Sequence, residues 1–327
     1  MMRWPAEWEP HEAVWIGFPG DPAEWPKALA EAQLEVAGFA NNVSDQGRGE
    51  TVVLVCRDPA DAGIAAKLVQ SHVTILIESF GDIWLRDTAP LFTSDGGELR
   101  GQNFRFNGWG GKYDMAGDQD IGRRLAAYFD LHLAERDWIL EGGAIDGDGQ
   151  GRLVTTAQCV LHENRNGGLT KEAASHRLQE SLGVDQICWL GDGLKNDHTD
   201  GHVDNLARFV APGAVAIPVA ETADDPNIEI FEDAAQRAEL AGLNVTRLPS
   251  VGRYEIDGEI VPASYMNFYI GNEVVAVPQY GAVNDRAAVE QIAALFPDRR
   301  AVGSSSRALL HGGGSFHCIS QQIPRLT

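Results

Sequence analysis

The chain repeats one order of apolar and amphipathic segments. Two short apolar segments joined by a turn come first, then a helix-like stretch with apolar residues every three or four positions, and then a third apolar segment. Four such units follow one another between residues 83 and 303, and their helix-like stretches are residues 119–129, 170–182, 228–240 and 285–295. The pattern predicts four copies of a strand–strand–helix–strand (ββαβ) unit.

The two ends of the chain together supply a fifth unit. Near the start, apolar residues 13–18 and 52–56 flank a helix-like stretch at residues 26–42, and the segment after Cys318 supplies the missing strand. Such a unit cannot bury its apolar face alone, which favours radial repetition, and joining the ends removes open sheet edges. We therefore predict an α/β propeller of five ββαβ units, formed as a single domain by residues 1–327. An open mixed sheet is the alternative.

The acidic composition bears on the possible partners. The 327 residues carry a formal net charge of −21, and the sequence pI is near 4.7. Such a surface repels nucleic acids and anionic membranes and attracts small cations. We therefore expect neither nucleic acid nor a membrane as a partner, although a need for solubility would also account for the charge.

Cysteine spacing and the length of apolar runs bear on the compartment. The four cysteines are far apart and form no Cys-x-x-Cys pair, which argues against a zinc site and a disulfide framework. No apolar run is long enough for a signal peptide or a membrane-spanning helix. We expect a cytoplasmic protein with free thiols.

A run of three glycines, Gly312, Gly313 and Gly314, precedes Cys318. Glycines in series permit a close approach or a backbone conformation that a Cβ would forbid. A glycine turn, a cysteine and a short strand together can present a thiol at the mouth of a pocket. For a single cysteine, the ordinary interpretation is a buried structural thiol.

His202 and Asp204 form a second candidate group. In a strand, alternate side chains share a face, so these two would point together, and facing a cysteine they would suit covalent catalysis. Two solvated polar residues on a strand are the alternative. A metal site is disfavoured, because Gly201 interrupts the helix that would place His198 and His202 on one face.

A third group of candidate residues lies around the first strands of two successive units, the one that begins near residue 83 and the one that begins near residue 143. In a strand, Trp84 and Asp87 would point to opposite faces, but the bend imposed by Ala89 before a proline allows them to share a pocket. Glu141 is followed by two glycines, as a side chain entering a tight site would be. A surface Arg–Asp pair and a plain glycine turn are the alternatives.

If the first strands of the units line the axis of the ring, Asp87, Glu141, His202, Asp204 and Cys318 meet in one central pocket. Three carboxylates there are costly unless a cation lies among them. A planar cation with several donors, suited to paired carboxylates, is a guanidinium. The residues favour a thiol that attacks the central carbon of a guanidinium.

In the segments that carry these residues, the chain resembles the agmatine deiminase family of guanidine-modifying enzymes, which is related to peptidylarginine deiminases. The resemblance covers nearly the whole chain and includes residues 2–18. Its motifs are DIWLRDTAP (82–90), FNGWGGKY (106–113), LEGG (140–143), TDGHVDN (199–205) and GGGSFHCISQQIP (312–324). The resemblance implies a pentein fold, which is a five-bladed pseudosymmetric α/β propeller, and hydrolytic deimination without a metal or an organic cofactor.

The resemblance also implies roles for individual residues. Cys318 would be the nucleophile and His202 the general acid and base. Asp87 and Asp204 would bind the guanidinium nitrogens, and Glu141 would orient the guanidinium or His202. Trp84 would pack on the plane of the substrate, and Trp109 and Gly313 would complete the substrate site. A homodimer is a further expectation from the family.

Three departures from the family pattern bear on the substrate. Ala89 stands where the family commonly has glycine, and Ser315 and Phe316 stand where it commonly has Asn and Ile. The chain also looks shorter than typical members, and missing loops would affect recognition of the far end of the substrate. The expected substrate is agmatine, giving N-carbamoylputrescine and ammonia.

Other functions stay open at this level. A peptidylarginine, free arginine or methylarginine deiminase would use the same chemistry. A non-catalytic propeller that binds a macromolecule would have no need to keep a cysteine, a histidine and three carboxylates together. A cysteine protease is disfavoured, because Cys318 does not precede a helix.

Overall fold

The computed structural model describes residues 2–326, and their strands form five main sheets around one axis. Each sheet begins with an antiparallel pair and continues with a parallel pair whose crossover contains a helix. This arrangement confirms the predicted ring of five ββαβ units, which we call blades 1 to 5. The first blade is closed by the last strand, since Trp15 pairs with Gln321 in antiparallel register.

The blades have the following elements. Blade 1 contains strands Ser320–Pro324, His11–Gly17, Thr51–Cys56 and Val73–Ile77, with helices Leu29–Ser44 and Pro59–Leu68. Blade 2 contains strands Leu91–Asp95, Glu98–Arg105 and Leu133–Ile139, with helix Ile121–Tyr128. Blade 3 contains strands Ile145–Gly147, Arg152–Thr156 and Gln186–Leu190, with helices Ala157–Val160, Glu163–Asn166 and Lys171–Leu182.

Blades 4 and 5 follow the same plan. Blade 4 contains strands Arg208–Ala211, Ala214–Val219 and Asn244–Pro249, with helix Ile228–Leu240. Blade 5 contains strands Tyr269–Ile270, Val274–Gln279 and Arg300–Ser305, with helix Asp285–Leu295. A two-stranded hairpin, Glu255–Ile256 with Glu259–Ile260, lies between them in the chain.

Short helical turns, not strands, occupy the inner end of the blades. They are Leu85–Thr88, Gly142–Ala144, Val203–Asn205 and Tyr265–Asn267, and residues 316–319 form a fifth turn before the last strand. The strands predicted across Trp84–Asp87 and His202–Asp204 were therefore wrong. A single helical turn places residues three apart on one side, which removes the conflict between Trp84 and Asp87.

Apolar packing holds the ring together. The largest buried cluster joins blade 1 to blade 2 and to the segment that carries Cys318. Within it, Phe39 of helix Leu29–Ser44 stacks on Phe316 with ring centroids 4.7 Å apart and planes 10° apart. Burial of a phenylalanine contributes about 1.5–3 kcal/mol, so this contact fixes the cysteine segment against the first blade. Within residues 2–326, none of the helices combines the length with the hydropathy that a bilayer crossing requires.

Candidate active site

The five inner turns meet at the axis of the ring. Neighbouring turns are in contact, and backbone hydrogen bonds join the last turn to both of its neighbours. The Cys318 carbonyl accepts from Arg86 N at 3.0 Å, and the Asn267 carbonyl accepts from His317 N at 3.2 Å. Above these turns lies a cleft with a cavity of about 140 Å³, lined in part by Trp84, Asp87, Trp109, Asn205, Gly313 and Cys318. Asp87 and Cys318 therefore line one cleft together with the predicted substrate residues Trp84, Trp109 and Gly313.

Gly143 marks the point where three predicted polar side chains approach each other. A Cβ at this position would lie 2.5 Å from His202 Nδ1, 3.0 Å from Asp87 Oδ1 and 3.1 Å from Asp204 Oδ2. The absence of a side chain at Gly143 is what lets the imidazole and the two carboxylates share one small volume.

Asp87 is buried and held by two donors. Trp109 Nε1 donates to Oδ2 at 2.8 Å, and the backbone N–H of Gly143 donates to Oδ1 at 2.9 Å. Burial and the neighbouring charges of Asp204 and Glu141 nevertheless raise the pKa of Asp87 well above its usual range. A cation between the carboxylates would relieve this repulsion.

Asp204 is fully buried, and His317 lies on one side of it. His317 Nδ1 lies 2.8 Å from Asp204 Oδ2, while His317 Nε2 lies 2.9 Å from Glu7 Oε2. Burial alone would raise the pKa of Asp204, but the hydrogen bond and charge of His317 outweigh it and lower that pKa. The second oxygen, Oδ1, is buried without a hydrogen-bond partner. Asp204 thus presents a charged oxygen with an open acceptor position.

His202 is buried, with neither ring nitrogen hydrogen-bonded. Its Nδ1 lies 3.8 Å from Asp87 Oδ1. Burial, aided by the charge of Arg165, lowers the pKa of His202 to about 3. The imidazole is therefore neutral in the empty site and has a free position for a proton.

Cys318 is 8% exposed, and its sulfur has three polar neighbours, which are the backbone of Ser315 and the side chains of Asn267 and Asp204. Asn267 Nδ2 donates to Sγ at 3.0 Å, and the thiol donates to Asp204 Oδ2 at 3.4 Å. Burial and the charges of Asp204 and Asp87 raise the pKa of the Cys318 thiol well above its usual value. The resting thiol is therefore protonated. The sequence analysis did not identify Asn267 as a site residue.

Glu141 lies behind the cleft and is paired with Arg165, not hydrogen-bonded to His202. Arg165 Nε donates to Glu141 Oε1 at 3.1 Å, and Arg165 also pairs with Asp200 and donates to the carbonyl of Thr199 at 2.6 Å. Burial raises the pKa of Glu141, although Arg165 opposes the rise. Arg165, like Asn267, was not identified from the sequence, because its surroundings there resemble a solvated turn.

Trp84, Trp109 and Gly313, which were predicted at the substrate site, line the cleft. Trp84 Nε1 donates to Asp82 Oδ2 at 2.8 Å, and a Cβ on Gly314 would lie 2.6 Å from the Trp84 ring. Gly313 has a φ of 99°, which favours glycine. Trp109 has a φ of 53°, in the left-handed region that is unfavourable for a residue with a side chain. This strained conformation brings its indole to Asp87.

One group of possible metal ligands occurs among residues 2–326. Ligand atoms of Glu141, Cys159 and His202 lie within 4.8 Å of one another. Arg165 already neutralises Glu141, and burial with the charge of Glu141 raises the pKa of Cys159 well above its usual value. A protonated thiol beside a guanidinium side chain is an unfavourable setting for a metal cation.

The mouth of the cleft is acidic. Glu24 and Asp82 line it together with His198 and His311. None of the described residues that line the cleft is a lysine or an arginine. The cleft is therefore suited to a cationic ligand.

Solved structures with the same fold include two agmatine deiminases. The Enterococcus faecalis enzyme superposes with a TM-score of 0.92 at 34% identity, covering 100% of this chain and 96% of that one. The Campylobacter jejuni enzyme, in a cysteine-to-serine variant with substrate bound, gives 0.91 at 28% identity, covering 99% and 97%. The amidinotransferase SxtG of Microseira wollei, at 11% identity and a TM-score of 0.57, shows the shared pentein fold alone.

Sequence comparison gives the same family. The agmatine deiminase of Stutzerimonas stutzeri is 35% identical over 352 aligned positions, which cover 98% of this chain and 95% of the relative. Because the alignment is longer than the 327 residues of this chain, the relative carries insertions that this chain lacks. The family model described as Porphyromonas-type peptidyl-arginine deiminase matches residues 3–324. The chain belongs to this family.

Proposed function

We propose that the protein hydrolyses agmatine to N-carbamoylputrescine and ammonia through a covalent thiouronium on Cys318. One observation carries the proposal: Asp87 and Asp204 lie around Gly143 beside the Cys318 thiol, and Asp204 Oδ1 has no partner. Two buried carboxylates beside a nucleophile require a cation, and a guanidinium supplies both the charge and several planar N–H donors.

Binding of the guanidinium changes the charge felt by the thiol. With the carboxylates neutralised and a cation beside it, the thiolate form of Cys318 becomes more favourable. His202, which is neutral in the empty site, accepts the thiol proton. The thiolate then adds to the central carbon of the guanidinium.

His202 completes the first half of the reaction. Now an imidazolium, it returns its proton to a nitrogen of the adduct as the C–N bond breaks, and ammonia leaves. A positively charged thiouronium stays on Cys318, and His202 is again neutral. The proton that ammonia carries away is thus the one that the thiol gave up.

Water completes the second half. His202 removes one proton as the water oxygen adds to the thiouronium carbon. The C–S bond then breaks as the hydroxyl proton of the adduct passes to solvent, and the ureido product leaves. His202 returns its proton to the sulfur and is neutral again. Acid–base assistance of this kind contributes about 10²–10⁴-fold to a rate.

The mouth of the cleft supports agmatine as the guanidine. Agmatine ends in an amine, which suits the carboxylates of Glu24 and Asp82. Free arginine would bring a carboxylate to the same place, and the described lining offers it no lysine or arginine. Two similar solved structures are agmatine deiminases, one of them with substrate bound. We place the enzyme in the cytoplasm, where its four buried free thiols would stay reduced.

The decisive experiment is ammonia release from agmatine, arginine, methylarginine and an arginyl peptide. We expect release from agmatine, and no turnover in Cys318→Ala, which should still bind agmatine in calorimetry. If ammonia is released only from one of the other guanidine compounds, that compound is the substrate in place of agmatine, and the proposed mechanism stands. Full activity of Cys318→Ala would refute the mechanism, and an inactive protein that binds no guanidine would refute the function.

A further inference from the structure

We propose that Asn267 is a catalytic residue whose side-chain amide donates a hydrogen bond to the sulfur of Cys318 and stabilises its thiolate. The inference rests on the proposed role of Cys318 as the nucleophile. Asn267 comes from the inner turn Tyr265–Asn267 of blade 5, the one blade whose inner turn had no chemical role assigned from the sequence.

The orientation of the Asn267 amide follows from its neighbours. Its oxygen accepts from two consecutive backbone N–H groups, those of His317 at 3.1 Å and Cys318 at 3.2 Å. The opposite orientation would place the NH₂ group against these two donors and leave the Cys318 N–H without an acceptor. The NH₂ group must therefore face the other way, where it lies 3.0 Å from Cys318 Sγ.

The second N–H of the same amide is also accounted for. It donates to Asn205 Oδ1 at 2.9 Å, so both hydrogens of Asn267 have acceptors. Asn205 belongs to the turn Val203–Asn205 that carries Asp204. Asn267 is 1% exposed, so no water competes for these positions. The amide is held rigidly between the nucleophile and the turn that supplies the guanidinium-binding carboxylate.

The sulfur needs this donor once it is ionised. In the resting site the thiol points its proton at Asp204 Oδ2, 3.4 Å away. A thiolate there would face a carboxylate without a proton between them, and Asp87 adds further negative charge. Asn267 supplies a donor that does not titrate. Its hydrogen bond strengthens when the sulfur becomes charged, since hydrogen bonds to ionised groups are about twice as strong as neutral ones.

The test measures the thiol itself and needs no substrate. The rate at which iodoacetamide alkylates Cys318 is followed against pH by mass spectrometry of the peptide that contains it. This profile gives the ionisation midpoint of Cys318 in the folded protein. Two substitutions of similar size remove the donor: Asn267→Leu, and Asn267→Asp, which keeps an acceptor for the N–H groups of His317 and Cys318.

Both variants should move the alkylation midpoint of Cys318 upward by about one to two pH units, the equivalent of a hydrogen bond to a charged group. The shift in Asn267→Asp should be at least as large, because two N–H donors keep its carboxylate ionised beside the sulfur. At neutral pH the same variants should lose about 10- to 100-fold in kcat for ammonia release, with a smaller change in KM.

Asn272→Asp is the matched control. Asn272 also uses its amide to hold backbone, accepting from His11 N at 2.8 Å and donating to His11 O at 2.9 Å, but it does not contact Cys318. It should lose thermal stability and leave the alkylation midpoint unchanged. Folded Asn267 variants with the midpoint of the unaltered protein would overturn the proposal. If Cys318→Ser kept turnover, the proposed role of Cys318 as the nucleophile would fail instead, whatever the alkylation profiles.

Discussion

Replacing Gly143 by alanine tests whether the convergence of His202, Asp87 and Asp204 is what makes the site work. The new methyl group would lie 2.5 Å from His202 Nδ1 and 3.0 and 3.1 Å from the two carboxylates, where ordinary contacts are 3.4–4 Å. The backbone of Gly143 lies outside the left-handed region, so alanine fits its conformation. The clash is therefore with the side chains of the site.

The size of the effect follows from this overlap. To restore an ordinary contact, the imidazole of His202 must move by about 1 Å, and a displacement of this size costs about 100-fold in rate. Gly143→Ala should therefore lower kcat/KM for ammonia release from agmatine by about 100-fold or more. The protein should still fold, because Gly143 N can still donate to Asp87 and the blades are unchanged.

The assay pairs ammonia release with thermal unfolding, and Gly63→Ala serves as the control. Gly63 lies in helix Pro59–Leu68 with nothing within 4 Å of its Cβ position, so alanine there should add about 0.5–1 kcal/mol of stability and leave kcat/KM unchanged. A Gly143→Ala protein with kcat/KM within threefold of the unaltered enzyme would refute the reasoning.

Two further predictions concern a buried carboxylate and the indole of the cleft. Burial raises the pKa of Asp118 to about 7, so its ionisation destabilises the folded state increasingly as pH rises from 5 to 7. In urea unfolding, Asp118→Asn should gain stability relative to the unaltered protein by about 1.4 kcal/mol per pH unit across this window, and an equal difference at both ends would contradict it. Trp109→Phe removes the indole donor to Asp87 and should lower kcat/KM about tenfold or more. Trp189→Phe, which loses only a hydrogen bond to Ser175, should leave kcat/KM unchanged, and equal activities of the two variants would count against the role of Trp109.

The blades themselves could be predicted from periodicity. Helices Ile228–Leu240 and Asp285–Leu295 begin and end where the apolar pattern changes, because each buries one face against its own sheet. The pairing of the last strand with His11–Gly17 followed from counting units. A regular helix or strand with one buried face produces a periodic pattern of apolar residues, whereas a short turn has too few residues to show one.

The inner turns show where the sequence was insufficient. A stretch such as His202-Val203-Asp204 is too short for alternation to distinguish a strand from one helical turn. Its conformation depends on contacts with other blades, which are remote in the chain. Arg165 likewise reaches Glu141 and Asp200 only after folding. Asn267 did have a signal: it occupies, in the fifth unit, the place that carries the polar residues in the other four.

The closure of blade 1 by the last strand has a consequence for biosynthesis. Glu12 and Arg325 pair although they are 313 positions apart, and their strands can meet only when almost the whole chain is available. Bringing such distant segments together is entropically costly and slow. Until then, strand His11–Gly17 has an open edge that can pair with another chain.

Each blade also contributes a residue to the site, and these residues are synthesised in the order Asp87, Glu141, His202, Asn267 and Cys318. A ribosome-bound chain therefore holds every component except the nucleophile from the addition of residue 267 until residue 318 is added. Activity should appear in one step as the final strand pairs with His11–Gly17. A chain that stops before residue 318 should be inactive and should leave the edge of that strand unpaired. Completion of the fold and acquisition of the thiol thus depend on one short segment, from Cys318 to the strand Ser320–Pro324.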